Sequence, residues 1–126
     1  MAIIAIDFDG TCVTHEYPSI GKNIGAVKVL RKLVAAGHKL ILYTMRSDNL
    51  LLDAVNWFEE NDIPLCAVNK NPTQHSWSTS PKVYANLYID DAALGCPLVY
   101  NSELSDRFYV DWEIAEQWLC RLNLLL

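Results

Sequence analysis

Short apolar runs alternate along the chain with segments of helical periodicity. The first run, AIIAI at 2–6, contains no polar residue, as expected for a strand that is covered on both faces. Similar runs occupy 39–43, 65–68 and 97–100, and another leads up to Asp90. Strands that alternate with helices usually pair in parallel through right-handed crossovers. The alternation predicts an α/β fold, a three-layer α/β/α sandwich with a mainly parallel, Rossmann-like sheet.

Helix boundaries are indicated by capping residues. Apolar residues recur at helical spacing from Asn23 onward, and Gly37 follows where a helix C-terminus favours a residue with positive φ. Ser47 or Asp48 is a suitable N-cap for a second amphipathic helix, and Asp111 for a last one.

The composition suits one soluble domain over residues 1–126. A net charge of −5 without a basic block argues against binding to a nucleic-acid backbone or an anionic membrane. No run approaches the roughly 18 to 20 apolar residues of a membrane span, and we expect no signal peptide. The four cysteines form no CxxC pair, which is typical of free thiols in a reducing compartment. We therefore expect a cytoplasmic protein.

Acidic and hydroxyl side chains follow three of the predicted strands. Asp7 and Asp9 end the first strand, Thr44 follows the second, and Asp90 and Asp91 follow the strand NLYI. Open parallel sheets bind their ligands at the carboxyl ends of the strands. We therefore expect these side chains to lie together at one edge of the sheet.

Several carboxylates at one edge repel one another, at about 4 kcal/mol per pair for a separation of about 4 Å and an effective dielectric near 20. Mg²⁺ relieves this repulsion and commonly binds one or two carboxylates, waters and a substrate phosphate. Lys82, in a short stretch with helical potential, would add positive charge, and the Thr44 hydroxyl suits a phosphoryl oxygen. Gly10 would let the backbone approach the phosphate closely. The cluster fits phosphoryl transfer to a carboxylate, with a second carboxylate as acid and base.

The ordered set resembles the four motifs of the haloacid dehalogenase (HAD) superfamily. It consists of Asp7-x-Asp9-Gly10-Thr11, then Thr44, then Lys82, then Asp90-Asp91, over residues 7 to 91.

The resemblance implies a HAD-like core with a role for each motif residue. Asp7 would be the nucleophile that forms an aspartyl phosphate, and Asp9 the general acid and base. Mg²⁺ would bind Asp7, the Asp9 carbonyl and Asp90, with Asp91 in contact directly or through water. The resemblance also implies phosphate contacts from the catalytic residues Thr44 and Lys82. Gly10, Thr11 and Arg46 are candidate substrate contacts from their positions alone, and Arg46 could instead be a solvated residue at a helix start. Because halide-displacing members lack the second Asp of the first motif, Asp9 favours phosphatase chemistry.

No interval has room for a cap domain. Superfamily caps are inserted after the first motif or between the second and third, and both intervals here are short. We expect a capless member with an open site, whose substrate contacts come from a flap with His15, Glu16 and Tyr17 and from the 69–81 loop.

The predicted function is a Mg²⁺-dependent phosphohydrolase that acts on a small or macromolecular phosphomonoester. A nucleic-acid-end phosphatase and a phosphatase-fold binding module without turnover are the alternatives. A signalling receiver domain is excluded because residues 69–71, after the middle strand, contain no acid, and because Lys82 precedes the last acidic pair. The sequence does not indicate an oligomeric state.

Overall fold

The computed structural model describes all 126 residues, Met1–Leu126, and contains six strands and three helices. In chain order they are β1 (Ile3–Ile6), α1 (Ala26–Ala35), β2 (Lys39–Leu42), α2 (Asp48–Glu60), β3 (Ala67–Val68), β4 (Leu87–Ile89), β5 (Leu98–Val99), β6 (Tyr109–Val110) and α3 (Trp112–Arg121). The five predicted strands are present with shorter bounds, and so are the three helices predicted from amphipathic periodicity.

The main sheet is entirely parallel, with the strand order β3-β2-β1-β4. The predicted mainly parallel, Rossmann-like α/β fold is confirmed. From β1 the chain builds outward to β2 and β3, and then returns to place β4 on the other side of β1. The order of the strands thus reverses between β1 and β4. In sheets of this kind, the crevice beyond the carboxyl ends at this reversal is the usual ligand site.

All three helices pack against the same face of the sheet and form one hydrophobic core with it. The strand side chains of this core include Ile4 and Ile6 of β1 and Leu42 of β2, alternate residues as the strand period requires. Phe8, just beyond β1, is also fully buried there, and its ring packs edge-on against Trp57 at 5.5 Å between centroids. This packing anchors the end of β1, where the predicted site lies.

The opposite face of the sheet is covered by residues 69–86, which connect β3 to β4 through turns rather than a helix. Tyr88 lies on this face, and its hydroxyl donates a hydrogen bond to the carbonyl of Val83, which is itself buried. The third layer is therefore this loop segment. The helical potential around Lys82 is not realised.

The predicted strand at 97–100 does not extend the parallel sheet. Its central residues form β5, which pairs antiparallel with β6 in a separate two-stranded sheet. The N–H of Val110 in β6 donates to the carbonyl of Gly10 at 3.0 Å. This bond ties the ribbon, and the loop between its strands, to the turn after β1.

The expected capping residues occupy their positions, although the Ser47 side chain makes no capping hydrogen bond at the start of α2. Gly37 has a φ of +94° after α1, and the Asp111 side chain accepts hydrogen bonds from two backbone N–H groups of α3. Residues 7–25 form a flap of turns and isolated bridges, with no additional domain. None of the helices has the length and hydrophobicity that crossing a membrane requires.

Candidate active site

Strand alternation places the first two acidic side chains at the edge of the sheet. Because Phe8 points into the core, Asp7 and Asp9 on either side of it point away and into a pocket of about 380 Å³. The pocket is lined by Asp7, Asp9, His15, Tyr17, Thr44, Met45, Arg46, Asp90, Asp91, Ala92 and Arg107. A larger groove, of about 570 Å³, lies beside the start of α3, but its Asp111 is already engaged as the helix cap.

Three carboxylates meet at the carboxyl ends of β1 and β4. Asp7, Asp90 and Asp91 each offer one oxygen, and these oxygens lie within 4.8 Å of one another. The carbonyl oxygen of Asp9 accepts no hydrogen bond within the chain and is thus available as a further ligand. An all-oxygen donor set of this charge fits a hard divalent cation such as Mg²⁺. The Asp9 side chain is not part of this group.

Burial and mutual repulsion perturb the carboxylates. Desolvation, with smaller contributions from Asp90 and Asp91, raises the pKa of Asp7 to about 8, against the opposing effect of the Thr11 hydrogen bond. Desolvation also raises the pKa of Asp91. The cluster therefore retains a proton at neutral pH unless a cation replaces it.

Thr11, predicted to contact substrate, is instead the residue that holds the carboxylates in place. It is fully buried, and its hydroxyl donates to Asp7 Oδ2 at 2.7 Å while accepting from the N–H of Asp91 at 3.0 Å. Because a hydroxyl has one hydrogen, none is left for a phosphoryl oxygen. Thr11 is thus a positioning residue.

Gly10 makes room for Asp91 rather than for substrate. Its φ is +81°, and a Cβ at this position would lie 2.3 Å from Asp91 Oδ2. Its N–H is directed away from the pocket in a hydrogen bond to the carbonyl of Val13 at 2.8 Å. The Gly10 N–H is thus not free to bind substrate, and the position requires glycine because of its φ and of the space that Asp91 occupies.

Arg46, also predicted to contact substrate, is only 2% exposed. Nε and Nη2 donate to the two carboxylate oxygens of Asp9 at 2.8 and 2.7 Å. The other donors go to the backbone carbonyls of Pro18, Ser19 and Leu50. All five guanidinium donors are used, so Arg46 orients Asp9 and secures the flap and has no donor left for a phosphate.

Hydrogen-bond donors remain free beside the carboxylates. The Thr44 hydroxyl accepts from the N–H of Arg46 at 3.2 Å, which leaves its own hydrogen available. The N–H groups of Asp9 and Met45, both at the pocket, make no hydrogen bond within the chain. Free backbone N–H groups at a pocket are donors that can bind an anion.

Lys82 is not among the side chains that line the pocket. Its ammonium lies 5.5 Å from the centroid of the Tyr88 ring, on the sheet face opposite the helices. The missing helix explains the difference, since the predicted position of Lys82 depended on a helical turn that would aim its amine at the site. The structure gives no support to the predicted catalytic role of Lys82.

Two basic residues at the pocket come from segments that the motifs do not cover. His15 belongs to the flap, as expected, whereas Arg107 lies between β5 and β6 and was not predicted. Because β5 and β6 have only two residues each, they show no periodic pattern in the sequence that would predict that the loop between them reaches the site. The 69–81 loop, predicted to contact substrate, lines a separate pocket of about 290 Å³.

A solved structure of a conserved protein from Bacteroides thetaiotaomicron is similar to this chain, with a TM-score of 0.78 and 34% sequence identity. The similarity covers 95% of this chain and 90% of that one. No family model and no curated protein matches the chain.

Proposed function

We propose that this chain, which belongs to the same family as the conserved protein from Bacteroides thetaiotaomicron, is a HAD-type, Mg²⁺-dependent phosphohydrolase. The observation that carries the proposal is the meeting of the Asp7, Asp90 and Asp91 carboxylates in one pocket with the free hydroxyl hydrogen of Thr44. The substrate is a phosphomonoester, and it reacts through an aspartyl phosphate on Asp7.

Asp7 is the nucleophile. Thr11 engages its Oδ2, so Oδ1 is the oxygen that attacks phosphorus. The bond from Oδ1 to phosphorus forms as the bond from phosphorus to the leaving oxygen breaks. The Thr44 hydroxyl and the free N–H groups of Asp9 and Met45 donate to the phosphoryl oxygens. Asp7, Asp90 and Asp91 would hold Mg²⁺, which would supply positive charge against the negative charge of the carboxylates and the phosphoryl group.

Asp9 transfers the protons. Each of its carboxylate oxygens accepts one hydrogen bond from Arg46 and keeps a second lone pair, where a proton can bind. In the first step this proton goes to the leaving oxygen. In the second, Asp9 takes a proton from the water that attacks phosphorus, which releases inorganic phosphate and restores Asp7.

The open pocket and the free cysteines indicate the size of the substrate and the cellular compartment. With no cap over the pocket, the site is open to a small or a macromolecular phosphomonoester. All four cysteines are free thiols, which fits a reducing, cytoplasmic compartment.

Hydrolysis of p-nitrophenyl phosphate tests the proposal. We expect the native chain to hydrolyse the ester when Mg²⁺ is present and not when EDTA removes it. Asp7→Asn should abolish hydrolysis. Asp62→Asn, at an exposed acid after α2, is the matched control and should retain full activity. Turnover that persists in Asp7→Asn would refute the assignment of Asp7 as the nucleophile. A native chain that binds Mg²⁺ but hydrolyses no phosphomonoester would instead indicate a binding module.

A further inference from the structure

The pocket holds four carboxylates but few cations that could meet a phosphate. Arg46 has no free donor, because all five are engaged by Asp9 and by backbone carbonyls. Lys82 lies over the Tyr88 ring and does not line the pocket. Arg107 is therefore the cationic side chain of the pocket whose donors are largely free.

The fold delivers Arg107 to this position through the β5–β6 ribbon. The ribbon is tied to the turn after β1 by the hydrogen bond from the Val110 N–H to the Gly10 carbonyl, at 3.0 Å. Three residues before Val110, the Arg107 side chain lines the pocket together with the carboxylates. Its Nη1 lies 3.3 Å from Nδ1 of His15, which belongs to the flap.

Arg107 forms no ion pair, even though four carboxylates line the same pocket. The three ion pairs of the chain are made by Arg31, Lys32 and Arg46. The contact with His15 uses one of the five guanidinium donors, and four remain free. An exposed guanidinium with free, coplanar donors is suited to bidentate binding of a phosphate.

We infer that Arg107 binds the phosphoryl oxygens of the substrate, the role that the sequence motifs had suggested for Lys82. The inference rests on the proposed function. The phosphoryl group would lie between the carboxylates with their cation on one side and the guanidinium of Arg107 on the other. The ligand this arrangement selects is a dianionic phosphate, which pairs with both positive groups, rather than a neutral or cationic molecule.

Titration calorimetry with inorganic phosphate tests the inference on the intact, Mg²⁺-loaded chain without requiring turnover. In Arg107→Ala the Kd for phosphate should rise about 10- to 100-fold, the range for losing hydrogen bonds between charged groups. The Kd of Arg107→Lys for phosphate should lie between the values of the native chain and Arg107→Ala. Arg121→Ala, at the exposed end of α3, is the matched control and should bind like the native chain. Mg²⁺ affinity should be retained in all variants, because the carboxylate ligands are unchanged.

A phosphate Kd in Arg107→Ala within twofold of the native value would overturn the inference, as would a native chain that binds no phosphate. Hydrolysis of p-nitrophenyl phosphate separates this result from the proposed function. If the native chain turns over and Arg107→Ala matches Arg121→Ala in KM, the inference fails and the phosphohydrolase stands. If phosphate binds through Arg107 but nothing is hydrolysed, the proposed function fails and the subsite stands.

Discussion

Replacing Asp7 by Asn should stabilise the metal-free chain at alkaline pH. Desolvation raises the pKa of Asp7 from its ordinary value of 3.8 to about 8, so the folded chain holds a proton there that the unfolded chain has released. An acid whose folded pKa is raised makes the free energy of unfolding fall as pH rises between the two pKa values. Stability attributable to Asp7 is therefore lost from about pH 4 to about pH 8.

The size of the effect follows from the shift. At about 1.4 kcal/mol per pKa unit, a rise from 3.8 to about 8 sets a ceiling near 6 kcal/mol. Asp90 and Asp91 share the repulsion with Asp7, and solvent reaches part of the Asp7 side chain. We therefore expect the substitution to raise the free energy of unfolding by about 2 to 3 kcal/mol. The amide of Asn still accepts the hydrogen bond from Thr11, because its Oδ1 can take the place of the carboxylate oxygen.

Urea unfolding in EDTA, followed by tryptophan fluorescence at pH 5 and pH 8, measures this effect. The free energy of unfolding of Asp7→Asn should exceed that of the native chain by about 2 to 3 kcal/mol at pH 8 and by less at pH 5, because the loss in the native chain begins near pH 4 and grows with pH. Added Mg²⁺ should stabilise the native chain more than the variant. A variant that is less stable than the native chain at pH 8, or that differs from it equally at both pH values, would refute the reasoning.

Two further substitutions separate the roles of the residues around the carboxylates. Gly10→Ala and Gly37→Ala both strain a positive φ, by about 1 to 2 kcal/mol, but only the first places a Cβ against Asp91. Calorimetry should therefore show weaker Mg²⁺ binding in Gly10→Ala alone, and equal binding in both would contradict the packing argument. Arg46→Met should destabilise the chain by about 3 to 5 kcal/mol in urea, because it leaves the Asp9 carboxylate without its partner. A loss below about 1 kcal/mol would show that this pair is dispensable.

The parts of the site that depend on local backbone geometry could be predicted from the sequence. The apolar run of β1 and the alternation around Phe8 require Asp7 and Asp9 to point outward at the end of a central strand. The acids that end β4 arrive at the same edge because neighbouring parallel strands end together. These inferences need only the strand period and the topology of the sheet.

The remaining assignments depended on tertiary contacts without a local signal. Thr11 and Arg46 have the chemistry of substrate ligands, and only the folded chain shows that their donors are already engaged. Lys82 was assigned by its order among the motifs, although its segment packs over Tyr88 without a helix. Arg107 reaches the pocket from a loop whose short flanking strands give no periodic pattern.

Detection of the aspartyl phosphate tests whether Asp7 is the nucleophile of the proposed reaction. The chain would be mixed with p-nitrophenyl phosphate and Mg²⁺, quenched in acid during turnover, digested and examined by mass spectrometry. We expect one added phosphoryl group on the peptide that contains Asp7, absent in EDTA and absent from Asp7→Asn. Turnover with no phosphorylated peptide, or with the phosphoryl group on another residue, would contradict it.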